Sequence, residues 1–188
     1  YYANAADTTT KGLDFVADYR TDFGAFGSVK WTLSANYNKT KFDRVTSPPP
    51  ALAALGAVLI DRVKIGDFTK ATPKDKYIAS ANWTLDKYSA ILRLTRFGQV
   101  KQTTTNPVND EYVSPALIVD LDLTYSITDN LTATLGANNL LNKFPDKVSN
   151  ANQGLNGSIT AVPFSAYNQY SPYGIGGSFI YTRLAYSF

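Results

Sequence analysis
Apolar and polar side chains take turns along most of this chain. In residues 12–23 the odd positions are Leu13, Phe15, Ala17, Tyr19, Thr21 and Phe23, while every charge (Asp14, Asp18, Arg20, Asp22) falls on an even position beside Val16. The pattern recurs in residues 28–40, where Val29, Trp31, Leu33, Ala35 and Tyr37 oppose Lys30, Thr32, Ser34, Asn36 and Asn38. It recurs in 77–85, in 88–98 with Ile91 and Phe97 as exceptions, and in 117–127, 131–139 and 177–188. A period of two sustained over this many residues predicts strands and not helices. About seven strands follow, the first over roughly 10–23.

The connectors alternate as well. Short turns fall at 24–27, 86–87 and 128–130, and long polar segments containing Pro fall between them at about 46–76, 103–115 and 142–177. A transmembrane barrel sorts its loops by length in this way, with tight turns on the periplasmic side and long loops outside. A soluble sandwich has no reason to do so. Strand length points the same way: soluble strands run to about five or six residues, whereas a tilted strand crossing a bilayer needs roughly 9–11. Ionised groups on the polar parity (Asp18, Arg20, Arg93, Asp120, Asp122, Arg183) sit deep within strands, where a wide barrel offers them a wet lumen. The other parity carries almost no charge, and Phe23, Trp31, Trp83, Tyr88 and Tyr125 bracket it near the turns, as interfacial aromatics do. The predicted fold is therefore all-β, a transmembrane antiparallel β-barrel segment whose greasy face meets lipid.

Composition narrows the chemistry. The charged share of 18% is low and the net charge of +3 is mild, with Lys and Arg scattered, so no nucleic-acid stripe is present. With no Cys, disulfides and thiolate metal sites are excluded; with no His, the commonest general base and metal ligand are missing. Neither a metal nor a cofactor is expected, and no enzyme is: no nucleophile–base pairing stands out. The longest apolar run, 51–60, falls short of the roughly 18 residues of a membrane helix and is expected either to form a short helix or loop strand over the mouth or to be mobile. The Asn-x-Ser/Thr triplets at Asn38, Asn82 and Asn130 mostly lie in strands and read as accidents of composition.

The C-terminus alternates Leu184, Tyr186 and Phe188, which resembles the signal by which outer-membrane barrels are recognised for insertion. If Phe188 lies at the periplasmic side, an odd strand count makes the first strand also run inward, and residues 1–9 become the tail of an outer loop. An open sheet of about seven strands leaves edges that a bilayer does not tolerate. The chain is therefore expected to be part of a larger barrel, its upstream strands lying elsewhere.

Residues 136–150 (GANNLLNKFPDKVSN) resemble the penultimate-strand motif G-x-x-N-L-[FL]-[DN]-x-x-P of TonB-dependent outer-membrane receptors, matched at Gly136, Asn139, Leu140, Leu141, Asn142 and Pro145. Residues 171–188 (SPYGIGGSFIYTRLAYSF) resemble that family's last loop and strand, with Ser178 where Arg is frequent. The stretches KIGDFTKATPKDKY and LRLTRFGQV are also similar. The resemblance implies residues 1–188 as the C-terminal part, about the last third, of a barrel of about 22 strands with a plugged lumen. The plug and the upstream strands have no counterpart in this chain. It further implies residence in the bacterial outer membrane and import of a scarce nutrient (siderophore, haem, cobalamin, glycan or similar), driven by the TonB–ExbB–ExbD complex acting through that plug. The implied partners are outer-membrane lipid, the remainder of the receptor, and a small-molecule or glycan substrate. Asn152, Gln153, Asn156, Tyr167, Asn168, Gln169, Tyr170 and Tyr173 of the last long connector are then candidates to stack on and hydrogen-bond that substrate, or form a solvated, self-packed loop. Asp120 and Asp122 suit pairing with Arg93 or Arg183 better than catalysis or cation binding. The rival is a small self-contained barrel, a passive pore or adhesin, which requires an eighth strand, most plausibly within 55–65.

Overall fold
The computed structural model describes residues 4–149 and 166–188. Seven strands form one antiparallel meander: β1 (Ala6–Asp22), β2 (Ser28–Val45), β3 (Asp75–Leu85), β4 (Tyr88–Phe97), β7 (Ala116–Ser126), β8 (Leu131–Asn138) and β9 (Phe179–Tyr186), in the order β1-β2-β3-β4-β7-β8-β9. Two short strands, β5 (Val100–Gln102) and β6 (Glu111–Val113), pair with each other outside this sheet. The architecture is that of a β-barrel segment. No helix of the described residues is long and apolar enough to cross a membrane.

Register turns the alternation in sequence into two chemically distinct faces. Ala17 opposes Leu33, Leu33 opposes Ala79, Ala79 opposes Leu94 and Leu94 opposes Val119, giving one apolar row across five strands. The adjacent row, Asp18–Thr32–Ser80–Arg93–Asp120, is polar throughout. Because the side-chain period is two, every member of the first row points away from every member of the second. The apolar face is bare: Leu13 is 71% exposed, Phe15 57% and Leu184 73%. Soluble monomers rarely expose so large and continuous an apolar patch, which marks a surface that meets lipid or protein.

The two rims differ. At one, the strands are joined by tight turns: a 3-10 turn at Gly24–Phe26, a two-residue turn at Asp86 with φ +48°, and the segment 127–130. Aromatics gather there on the apolar face. Trp31 Nε1 donates to Thr21 Oγ1 (3.1 Å), Trp83 Nε1 donates to the Phe26 carbonyl (2.8 Å), and the Tyr88 and Tyr125 rings lie 5.1 Å apart.

At the other rim, residues 46–74 carry helices α1 (Pro50–Ala53) and α2 (Arg62–Lys70), and residues 98–115 carry the β5–β6 hairpin. Pro at its N-terminus starts α1. Asp61 caps α2 by accepting from the Lys64 amide (2.8 Å), and Lys70 suits its negative end. The most buried apolar residues, Val100, Val113 and Val148, all belong to this rim, and Ala116, Ile118 and Val119 of β7 are buried as well, so the small core lies beneath the long connectors and against β7. Gly66 of α2 packs where a Cβ would stand 2.2 Å from Thr103 Oγ1, which brings the helix directly onto the hairpin.

Three expectations need correction. Residues 6–9 belong to β1 and are not a loop tail, because Asp7 and Thr9 find partners on β2. Residues 55–65 form turns and the start of α2, not an eighth strand. The apolar parity does carry charge at the connector rim: Arg96 and Asp75 lie on it and pair with each other, with the guanidinium 5.5 Å from the Tyr77 ring centroid.

Candidate functional site
The polar face is a set of cross-strand contacts. Thr32 Oγ1 donates to Asp18 Oδ1 (2.5 Å) with Lys30 Nζ 3.7 Å from the same oxygen, Asn36 Nδ2 donates to Asp14 Oδ1 (2.5 Å), and Arg20 donates to Ser28 Oγ (3.1 Å). Arg93 stands opposite Asp120 at 4.0 Å, and Asp120 Oδ1 also accepts from the Asn139 amide (2.8 Å). Asp122, expected to partner Arg93 or Arg183, instead accepts from the Tyr181 hydroxyl (2.6 Å). Arg183 lies on the same face, opposite Thr134. None of these groups is arranged as a nucleophile with a base, and among the described residues no group of three or more carboxylates could hold a metal.

The motif of residues 136–145 has a structural explanation. A Cβ on Gly136 would stand 2.2 Å from Tyr181 Cζ and 2.4 Å from Asp122 Oδ1, so only the missing side chain lets the Tyr181 ring lie across β8 to reach Asp122. Asn139 adopts φ +51°, a conformation that asparagine tolerates better than most residues, and its side chain closes the turn: Nδ2 donates to the Lys143 carbonyl (2.7 Å) and Oδ1 accepts from the Lys143 amide (2.8 Å). Asn142, at φ +53°, accepts from the Ser178 amide (3.0 Å) and so ties the motif to the run into β9.

At the connector rim lies a cluster that the sequence did not reveal. Arg62 of α2 grips Asp110 with two hydrogen bonds (2.8 and 2.5 Å) and also donates to the Thr104 carbonyl. Lys101 Nζ stands 2.7 Å from the same carboxylate and 5.0 Å from the Tyr112 ring centroid, and the Thr104 amide donates to Asp110 at 3.0 Å. The Asp110 side chain is only 5% exposed. The Arg62 hydrogen bonds, then those of Lys101 and the Thr104 amide, hold its carboxyl well below the usual carboxylate range despite burial. One carboxylate thus locks the first long connector to the second.

The last connector docks onto both. Tyr170 donates its hydroxyl to Asp67 of α2 (3.0 Å); burial first, and that carboxylate second, raise the phenol above its ordinary value. The Tyr173 ring packs 5.9 Å from Phe97, which explains why Phe97 breaks the alternation: it faces inward against this connector. Tyr167 stacks on Phe144 (5.2 Å). Asn168 is buried and accepts from the Tyr170 amide (2.9 Å), while Gln169 is exposed. Asn152, Gln153 and Asn156 lie outside the described residues. At the other rim Leu184, Tyr186 and Phe188 point to the apolar side, and Asn130 pins the chain end by donating to the Ser187 carbonyl (2.9 Å).

The fold recurs in known proteins. Residues 1–140 match the family model described as TonB dependent receptor-like, beta-barrel. Comparison with curated proteins gives no match. Among solved structures, that of the FpvAI–pyocin S2 complex superposes with a TM-score of 0.54 at 17% identity, over 95% of this chain and 19% of the other. The ferric enterobactin receptor PfeA of Pseudomonas aeruginosa, solved as a G324V mutant, gives a TM-score of 0.54 at 20% identity, over 92% of this chain and 22% of the other. The chain thus spans about a fifth of the length of each, and at these identities the likeness speaks for the fold. With the family model covering most of its length, the chain belongs to the TonB-dependent receptor-like β-barrels.

Proposed function
We propose that the chain forms the C-terminal wall of an outer-membrane active transporter that imports a scarce nutrient, of the siderophore, haem, cobalamin or glycan kind, with energy delivered by TonB–ExbB–ExbD through a plug in the same receptor. The observation that supports this most is the pair of adjacent rows, one apolar over five strands and one polar over the same five. Such a sheet suits lipid on one side and a water-filled or plugged lumen on the other. The tight-turn rim then faces the periplasm and the connector rim faces outward. The order β1 to β9 does not close on itself among the described residues, which favours a larger barrel over the small passive pore or adhesin. The connector residues Tyr167, Asn168, Gln169, Tyr170 and Tyr173, with Asn152, Gln153 and Asn156, remain the candidates for substrate contact. Gln169 is the best placed of the described ones, because it is exposed.

The test is growth on a panel of ferric siderophores, haem, cobalamin and oligosaccharides supplied as sole source. Cells carry the full-length receptor, a deletion, or the intact receptor without TonB. The reading predicts growth on one member that needs both the receptor and TonB. Uptake that persists without TonB would support the passive pore instead.

A further inference from the structure
A cleft of about 240 Å³ opens at the connector rim where the end of α2, the start of β3 and the β5–β6 hairpin meet. Three lysines line it, Lys70, Lys74 and Lys101, together with Thr72, Gln99 and the Tyr112 ring. The neighbouring carboxylates do not cancel these charges. Asp110 is shared between Arg62 and Lys101, so one positive charge of that trio is left over, and the buried carboxylate fixes Lys101 at the wall of the cleft. Asp75 also lines the cleft, but Arg96 holds it. Asp67, one turn before Lys70 on α2, is engaged by Tyr170. Lys70 and Lys74 are exposed, and neither makes an ion pair among the described residues. Both belong to the polar side of the wall. The Lys74 carbonyl accepts from the Asn38 amide (2.7 Å), continuing the register of the polar pair Asn36–Lys76. Helix α2 lays its Phe68 ring on Phe42, which shares the parity of Asn36 and Asn38 (5.9 Å). The cleft is thus set apart from the lipid-facing belt. Ammonium groups gathered around a half-enclosed space recruit an oxyanion. Phosphate suits them best: it carries up to two negative charges on three acceptor oxygens and meets lysine as a point charge, whereas a flat carboxylate matches the fork of arginine.

We propose that this cleft binds the phosphate group of a small soluble phosphate ester, with Lys70, Lys74 and Lys101 as its cationic contacts and Thr72 and Gln99 as neutral donors. Pockets for drug-sized ligands run to about 300–1,000 Å³, so a cleft of this volume holds one small ligand or one group of a larger one. Each lysine contributes about tenfold in affinity, as one charge-assisted hydrogen bond does. The site goes beyond the transport reading and does not depend on it, since it is drawn from the cleft and its charges alone.

The experiment is calorimetric titration of the full-length receptor in detergent, at constant ionic strength, with inorganic phosphate, glucose 6-phosphate, glucose or lipid A. Inorganic phosphate and glucose 6-phosphate are expected to bind, and glucose is not. K70Q/K74Q is expected to weaken both phosphates about a hundredfold; Lys101 is left in place because it also holds Asp110. K64Q removes a charge from α2 outside the cleft and is expected to bind like the parent. If the double variant fails to assemble, K74Q alone is expected to weaken binding about tenfold. Absence of phosphate binding by the parent, undiminished binding in K70Q/K74Q or K74Q, a loss in K64Q equal to that in K74Q, or lysine-dependent binding of lipid A alone overturns the proposal. A receptor that still imports its nutrient through TonB while showing any of these results leaves the transport reading standing.

Discussion
The outward row Ala17–Leu33–Ala79–Leu94–Val119 and the inward row Asp18–Thr32–Ser80–Arg93–Asp120 are one residue apart in sequence and obey different rules. Outward, what matters is a property each residue has alone, its transfer into hydrocarbon. Inward, what matters is pairing: Asp18 with Thr32, Arg93 with Asp120, Asp122 with Tyr181. The outward face should therefore tolerate changes of shape and reject charge, and the inward face should do the reverse.

That contrast is most exposed to test at mid-strand. Leu33→Arg puts a guanidinium into the middle of the apolar belt and is expected to cost about 2–4 kcal/mol. Thr32→Arg, one position away and beside Asp18, is expected to cost far less. Heat-modifiable mobility of the assembled receptor compares the two, and equal losses would end the distinction. Next in size is crowding. Gly136→Val drives a side chain into Tyr181 and Asp122 and is expected to cost about 1–3 kcal/mol in denaturant unfolding, whereas Ala137→Val on the outward side adds methyls toward lipid and is expected to be nearly silent. Smaller still is Arg93→Gln. Its partner stands at 4.0 Å and its own side chain is 47% exposed, so solvent screening limits the loss to about 0.2–1 kcal/mol by the same measurement.

The smallest expected effect near neutrality is that of pH. The Asp110 carboxyl titrates below its unfolded value, so its contribution is present in full above the ordinary carboxylate range, near 3.9, and is lost as pH falls through the lower, folded value. Protease protection of the connectors is thus expected to stay flat from pH 7 to about 4 and to fail only in stronger acid. Loss of protection already near pH 5 would mean that the Arg62–Asp110–Lys101 lock is not what holds them.

Sequence periodicity made the strands, their faces and the rim of tight turns legible, since each depends on neighbours two residues apart. The Arg93–Asp120 pairing was within reach for the same reason: once the strands were known, few alternatives remained. What stayed hidden was short or distant. β5 and β6 have three residues each, too few to show a period. Arg62 and Asp110 lie in separate connectors, and nothing local in either marks the other as its partner. The motif at Gly136 and Asn139 was recognisable as a pattern, but its cause, the Tyr181 ring across a bare backbone and an asparagine closing its own turn, is a contact of the folded chain. The connector residues proposed to touch substrate are of that kind as well: Tyr170 and Tyr173 are partly engaged with Asp67 and Phe97.

β1 and β2 continue past Lys11 and Lys39 to Ala6 and Val45, and between Asp7 and Thr8 their register slips by one. Lower down, such a slip would swap every greasy position with every ionised one and force salt into oil. Above the lysines one side of β2 meets helix α2, with the Phe42 and Phe68 rings 5.9 Å apart, and Thr10–Thr40, Thr9–Asp43 and Asp7–Arg44 hold the ribbon by side-chain bonds. The irregularity sits beyond the two-faced wall, so the slip leaves the pairing of every row beneath it, from Thr8–Phe42 to Asp22–Ser28, in step.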